Sequence, residues 1–226
     1  VGEEHFDGLM LYPVRDLLLG FLGDHSLPAS EFLSGLARLM DPFPEEFRES
    51  QLLMLGSHDT ERIRTSLGGR AEAVRLSTLV QFSLPGAPCI YYGDEIGLEG
   101  RKDPDSRRAF PWQPARWDSG LRDHVRRLID LRRRLPALRG ADTLPVLSDD
   151  ERRWVAYERR SGQSSAVVVL NASDRPEEIH LPALGLLAKP AETLSDALGG
   201  AALASIEGRT RVTLPPYAGA VLVAKP

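Results

Sequence analysis

Cysteine is nearly absent from this chain: Cys89 is the single example among 226 residues. One thiol excludes an internal disulfide framework and suits a reducing compartment, so a cytoplasmic location is expected. Lysine is almost as scarce, present only at Lys102, Lys189 and Lys225, and the formal net charge is -4. A nucleic-acid surface needs a basic excess, so nucleic acid is not expected as a partner. No apolar run reaches membrane-spanning length, and the opening VGEEHFDG has neither a basic segment nor an apolar one of signal-peptide length. No membrane partner and no leader are therefore expected. The chain opens on Val rather than Met, so the gene product is expected to extend upstream. Internal repeats and low-complexity tracts are missing as well, and no cofactor or metal is expected.

What is present is ordinary for a globular protein, with a hydrophobic share of 42% and a charged share of 27%. The length allows two modest domains or one large one. Within it, the stretch Gln51 to Arg64, QLLMLGSHDTERIR, carries the most information. Leu52 to Leu55 are apolar without alternation, as in a parallel strand covered on both faces. Gly56 and Ser57 break that strand, so His58 and Asp59 would project from its carboxyl end, where α/β barrels place their chemistry. The competing reading is that Asp59 or Thr60 caps a following helix, with Glu61 in its first turn. The residues alone leave both readings open.

Around this stretch the chain alternates strand and helix. Phe6 to Leu11 reads as a strand stopped by Pro13, Val14 to about Leu22 as a helix, and Pro28 to Met40 as a second helix capped near Ser30. Arg70 to Ser83 reads as a helix and Cys89 to Tyr92 as a short buried strand, entered through Pro85-Gly86 and left through Gly93. That order marks a βα-repeat protein. Asp94 and Glu95, adjacent on a strand, would face opposite ways and could not flank one bond together, so each is expected to pair with a nearby arginine. Glu3 and Glu4 are expected to be solvated. Leu121 to Leu135 reads as an amphipathic helix whose arginines face solvent. Beyond Pro136 the period becomes that of strands, at Trp154 to Arg159, Ala166 to Asn171, Glu178 to Leu181, Arg211 to Leu214 and Ala220 to Val223. Together these make a small antiparallel sandwich, with His180 an exposed strand residue.

Leu55-Gly56-Ser57-His58-Asp59-Thr60-Glu61-Arg62 resembles the fourth signature region of the α-amylase family of glycoside hydrolases, in the form found in its neopullulanase, cyclomaltodextrinase and maltogenic amylase branch. Pro85 to Gly97 resembles the family's eighth barrel strand. Phe6 to Pro13 resembles its sixth, with Leu11 where the pattern has Asn. Glu99 to Trp112 resembles the stretch DPxxRxxxxW, and LPPYAGAVL near the end resembles the C-terminal domain. The resemblance implies that Asp59 stabilises the transition state, that His58 holds sugar hydroxyls, and that Asp103 and Arg107 reach a glucose beside the cleaved bond. For the last two a plain loop salt bridge is the alternative. Trp112 is expected to pack, closing the barrel, and Trp117 likewise.

The fold implied is α/β followed by all-β: residues 1–136 as the C-terminal part of a (β/α)8 TIM barrel, about strands 6 to 8, and residues 137–226 as an antiparallel β-sandwich. The family's nucleophile follows the fourth strand and its acid the fifth, so both are expected outside this chain, which alone would be inactive. The partners implied are an α-glucan oligosaccharide or polysaccharide, the missing N-terminal half of the barrel, and further copies in a homo-oligomer. Two other readings are carried: a non-catalytic carbohydrate-binding or interaction protein with a decayed barrel, and an α-glucosidase or trehalose-forming relative.

Overall fold

A computed structural model describes residues 7–183, 194–206 and 209–225. Its first part is built on a parallel sheet ordered β1-β2-β3, from Met10–Leu11, Leu52–Met54 and Ala87–Cys89. Helix α1, Pro13–Leu18, runs on into a π-helical turn at Leu19–Gly23. Then come α2 (Ala29–Arg38), the short α3 (Ile63–Ser66), α4 (Ala71–Ser83) and α5 (Ser119–Arg134). Three parallel strands with helices in their connections are part of a βα barrel, as expected. Phe6, where the first strand was expected to start, lies outside the described residues, as do Glu3 and Glu4.

The third strand lies earlier than Cys89 to Tyr92. Its register is set by β2, which pairs Leu52, Leu53 and Met54 with Ala87, Pro88 and Cys89. Entry depends on Gly86: φ is 101°, and a Cβ there would stand 2.5 Å from the Gln51 carbonyl oxygen. Only glycine allows that approach.

Strands β4 (Asp142–Asp149), β5 (Trp154–Ser161), β6 (Ser164–Asn171), β11 (Ala218–Ala224) and β8 (Leu194–Asp196) form one sheet in that order. Strands β7 (Glu177–Leu181), β10 (Arg209–Leu214) and β9 (Ala202–Ile206) form the other. Side chains alternate across a strand, and both faces of the larger sheet are covered. Ala156, Val167 and Val169 meet the second sheet, while Val155, Tyr157, Val168 and Leu170 join the core of the helical part. The two parts therefore share one apolar interior. A buried bond at 2.6 Å between the Ser83 and Tyr157 hydroxyls crosses it.

Two polar expectations change. Ser30 does not cap α2, whose cap position is Pro28; instead its amide and hydroxyl both donate to Asp150, at 2.7 and 2.9 Å. A carboxylate from the sandwich thus sits at the positive end of the helix. Nor do all α5 arginines face solvent. Arg132 donates to the carbonyls of Phe82, Leu84 and Leu138, at 2.6–2.9 Å, and to that of Gly86. Phe82 is in the last turn of α4 and Leu84 and Gly86 follow it, where helix carbonyls lack partners of their own, while Leu138 lies beyond the end of α5.

Met10, Leu52 and Ile90 remain exposed on or beside the parallel sheet, whereas β5 and β6 are buried on both faces. In hydrogen exchange on this chain, amides of 52–54, 87 and 89 should therefore exchange faster than those of 155–157 and 167–170. Equal protection would overturn this ranking of the two sheets.

Candidate active site

Buried Leu53, Met54 and Leu55 carry the chain to Gly56, where a Cβ would meet Asp94 Oδ2 at 2.4 Å. The next residues make a tight turn. Ser57 N donates to Thr60 Oγ1 at 2.9 Å, and Ser57 Oγ accepts from Tyr12 Oη at 3.0 Å and from the Asp59 amide at 3.1 Å. Thr60 is therefore used inside the turn, and the next helix, α3, has Arg62 rather than Asp59 at its cap. The helix-capping reading of Asp59 and Thr60 is excluded. Glu61 also stands outside that helix and accepts from Ser66 Oγ at 2.9 Å.

The turn presents His58 and Asp59 to solvent, with His58 Nε2 3.2 Å from Asp59 Oδ2. Arg107 Nη2 approaches Asp59 Oδ1 at 3.8 Å, while its Nε donates to Asp103 Oδ1 at 2.6 Å. The loop salt bridge between Asp103 and Arg107 thus exists, and it also reaches Asp59. All four residues named from sequence come together. Beside them lies a cavity of about 380 Å³, walled by Asp59, Thr60, Asp24 and Lys102 among others. Asp24 and Lys102 were not singled out in sequence; Lys102, one of three lysines and next to Asp103, offered a signal. Among the described residues no group of three or more His, Cys, Asp or Glu side chains is placed to hold a metal ion.

Two buried arginines hold the turn from below. Arg15 donates to Leu55 O, Glu61 O and Ser66 Oγ at 2.8–3.0 Å, which fixes both ends of the loop. Arg62, fully buried, donates to Ser106 O at 2.9 Å, to Asp94 Oδ1 at 3.1 Å and to Tyr92 O. Its guanidinium lies 4.1 and 4.6 Å from the ring centres of Tyr91 and Tyr92. Ser106 in turn donates to His58 O at 3.1 Å. Arg62 so joins the His58–Asp59 turn to the loop that carries Arg107.

Asp94 and Glu95 lie on a short 3-10 turn and not on a strand. Asp94 pairs with Arg62, but Glu95 takes no arginine: it accepts the Gly93 amide at 2.8 Å, closing its own turn. Trp112 also departs from expectation. It is 80% exposed, and its contact is with Phe110, at 4.9 Å between ring centres. Trp117 does the packing, donating to Pro111 O at 2.6 Å.

A parallel βα-barrel sheet bearing a carboxylate, a histidine and an arginine at the end of its central strand, joined to a β-sandwich, defines the class: a βα-barrel protein with a polar cluster where such barrels carry their sites, and an appended β domain. The family profile described as the catalytic domain of alpha amylase matches residues 1–174, and that of the maltogenic amylase C-terminal domain matches residues 144–221. The chain belongs to the α-amylase family of glycosidases.

A cyclomaltodextrinase of Geobacillus thermopakistaniensis is 36% identical over 98% of this chain and 37% of its own length. Neopullulanase 2 of Thermoactinomyces vulgaris is 34% identical over 97% and 37%. Among solved structures, the debranching enzyme of Nostoc punctiforme superposes with a TM-score of 0.84 at 31% identity, over 97% of this chain and 48% of that one. The cyclic α-maltosyl-(1→6)-maltose hydrolase of Arthrobacter globiformis gives 0.79 at 35%, over 96% and 45%. The chain thus spans about 37% of the length of these curated relatives.

Burial pushes the Asp94 carboxyl up to about 7, aided by Glu95 and opposed by Arg62 and Arg15. An acid whose pKa is higher when folded binds more protons in the folded state between the two values. Its contribution to stability is therefore full below about pH 4 and falls as pH rises toward about 7. Asp94→Asn cannot titrate, so its melting temperature relative to the parent should climb across that interval. A difference that stays flat in thermal melts from pH 4 to 7 would refute the assignment.

Proposed function

We propose that this chain is part of a retaining glycoside hydrolase acting on the α-1,4 and α-1,6 glucosidic bonds of α-glucans such as cyclodextrin, pullulan and maltodextrin. In this reading residues 1–136 are the C-terminal part of the catalytic barrel and residues 137–226 its sandwich domain. Asp59 is the transition-state-stabilising carboxylate; His58, Asp103 and Arg107 hold the sugar. The observation that carries the reading is the convergence of these four side chains at the end of β2. Support also comes from the relatives, whose names specify cyclomaltodextrin and pullulan hydrolysis.

Retaining cleavage needs a nucleophilic carboxylate and a proton-donating acid about 5 Å apart across the bond. Asp59, tied to Arg107 and Asp103, has another role. It faces positive charge that develops at the anomeric carbon as the bond breaks, and a preoriented carboxylate is worth most in that state. The nucleophile and acid belong to the preceding part of the barrel, with which this chain works as a partner.

Purified alone, the chain should not hydrolyse cyclodextrin, pullulan or starch above background. Turnover that disappears in Asp59→Ala would refute this division of labour.

In an enzyme carrying this chain with its N-terminal barrel half, Asp59→Asn should lower kcat by about a hundredfold or more with little change in KM, because its interaction arises in the transition state. Arg107→Ala should mainly raise KM, since holding a neighbouring glucose serves ground and transition states alike. Steady-state kinetics with the two effects interchanged, or full activity in Asp59→Asn, would overturn these roles, and glucan binding without turnover by the complete protein would leave a carbohydrate-binding protein as the better reading.

A further inference from the structure

The helix that starts at Pro13 changes character before it ends. After Leu18 it widens into the π-helical turn Leu19–Gly23, closed by the Asp24 amide donating to Leu19 O at 3.1 Å. Such turns are uncommon and concentrate at functional sites. Here Leu19, Gly23 and Asp24 form one wall of the cavity that contains Asp59.

The last carbonyls of a helix have no intrahelical donors, and cations suit that end of its dipole. Two arginines meet them. Arg70, at the start of α4, donates to Leu22 O and to Gly23 O, the latter at 3.0 Å. Arg153, from the β4–β5 turn of the sandwich, donates to Phe21 O and lies over the Phe21 ring at 5.2 Å.

The backbone singles out the same place. Among the described residues the non-glycine residues with positive φ are His25 (62°), Arg153 (56°) and Tyr217 (45°). They belong to three separate segments, yet they gather around these arginines. Arg70 Nη1 donates to Tyr217 Oη at 3.3 Å with its guanidinium 5.5 Å from the ring centre. The His25 imidazole is pushed down by burial and by the positive charges of Arg153 and Arg70. A left-handed backbone is unfavourable for an ordinary residue, and such strain persists where the surroundings enforce a required geometry.

We infer that Arg153 is a positioning residue for the substrate cleft: through it the sandwich domain holds the wall Leu19–Asp24 in place, so that Asp24 lines a glucan-binding surface beside Asp59. The Asp24 carboxylate is itself oriented for this, with Oδ1 accepting from the Ser26 amide and hydroxyl at 3.0 and 2.7 Å. The inference rests on the glucan reading of the site. It gives the sandwich a part in substrate binding, beyond covering the barrel helices.

Arg153→Asn and Arg153→Gly test it, because both residues tolerate the left-handed backbone and leave the β4–β5 turn unstrained. On this chain, amides of residues 20–24 should exchange about tenfold faster or more, while those of β5 and β6 keep their rates. In the complete enzyme, KM for a maltooligosaccharide should rise about fivefold or more with kcat within about twofold, and Arg153→Lys should recover part of the loss. Unchanged exchange at 20–24 in both variants would show that Arg153 does not hold the wall. Faster exchange with unchanged KM would show that the wall does not meet substrate. Asp59→Asn in the same assay separates the two readings: if it lowers kcat while the Arg153 variants leave KM alone, only this inference fails. If the parent enzyme does not turn the maltooligosaccharide over, the glucan reading fails and the cleft role of Arg153 fails with it.

Discussion

The buried contact between Arg62 and Asp94 is the constraint on which the candidate site depends. Arg62 stands three residues beyond Asp59, and from there its guanidinium reaches the turn after β3 and the loop carrying Arg107. Three segments far apart in sequence are thereby held in register by one side chain. A planar fork with several donors can do this where an ammonium could not. Burying such a group costs less because two carbonyls and a carboxylate accept from its Nε and Nη1. The arrangement also constrains its surroundings, since Asp94 fills the space a side chain at position 56 would need.

Arginine recurs in this role throughout the molecule. Arg15 holds the two ends of the His58–Asp59 loop, Arg132 gathers carbonyls around the end of α4, and Arg70 and Arg153 close the π-helical turn. In each case backbone oxygens at the end of a helix or strand lack partners, and a guanidinium supplies several donors at once. Many loops at the barrel end are thus fixed by side chains from elements beneath or beside them. The sandwich takes part through Arg153, and through Asp150 at the start of α2.

The shared core explains why the sandwich can exert that influence. Val155, Tyr157, Val168 and Leu170 face the helices, and their neighbours in sequence face the second sheet. The larger sheet is consequently a middle layer, and movement of its turns is transmitted to the barrel helices through close packing.

Much of this protein was determined locally and could be read from sequence. The unbroken apolar run from Leu52 marked β2, although Leu52 itself is exposed, alternation marked the sandwich, and Gly56-Ser57-His58-Asp59-Thr60 marked the site because a strand end followed by short polar residues makes a compact turn. His58 and Asp59, named from that pattern, do converge with Asp103 and Arg107, named from the resemblance of the later loop. What sequence could not settle depends on partners distant in the chain. The register of β3 followed from pairing with β2, which moved it ahead of Tyr91 and Tyr92. Glu95 closed its own turn because Arg62 was already engaged by Asp94, Tyr92 and Ser106. Trp112 is exposed while Trp117, five residues on, packs against Pro111, so a large apolar residue could not be placed by type alone. The functions of Arg15, Arg62 and Arg153 were hidden for the same reason: a cation in a sequence reads as surface, and only the folded chain shows which carbonyl oxygens it reaches.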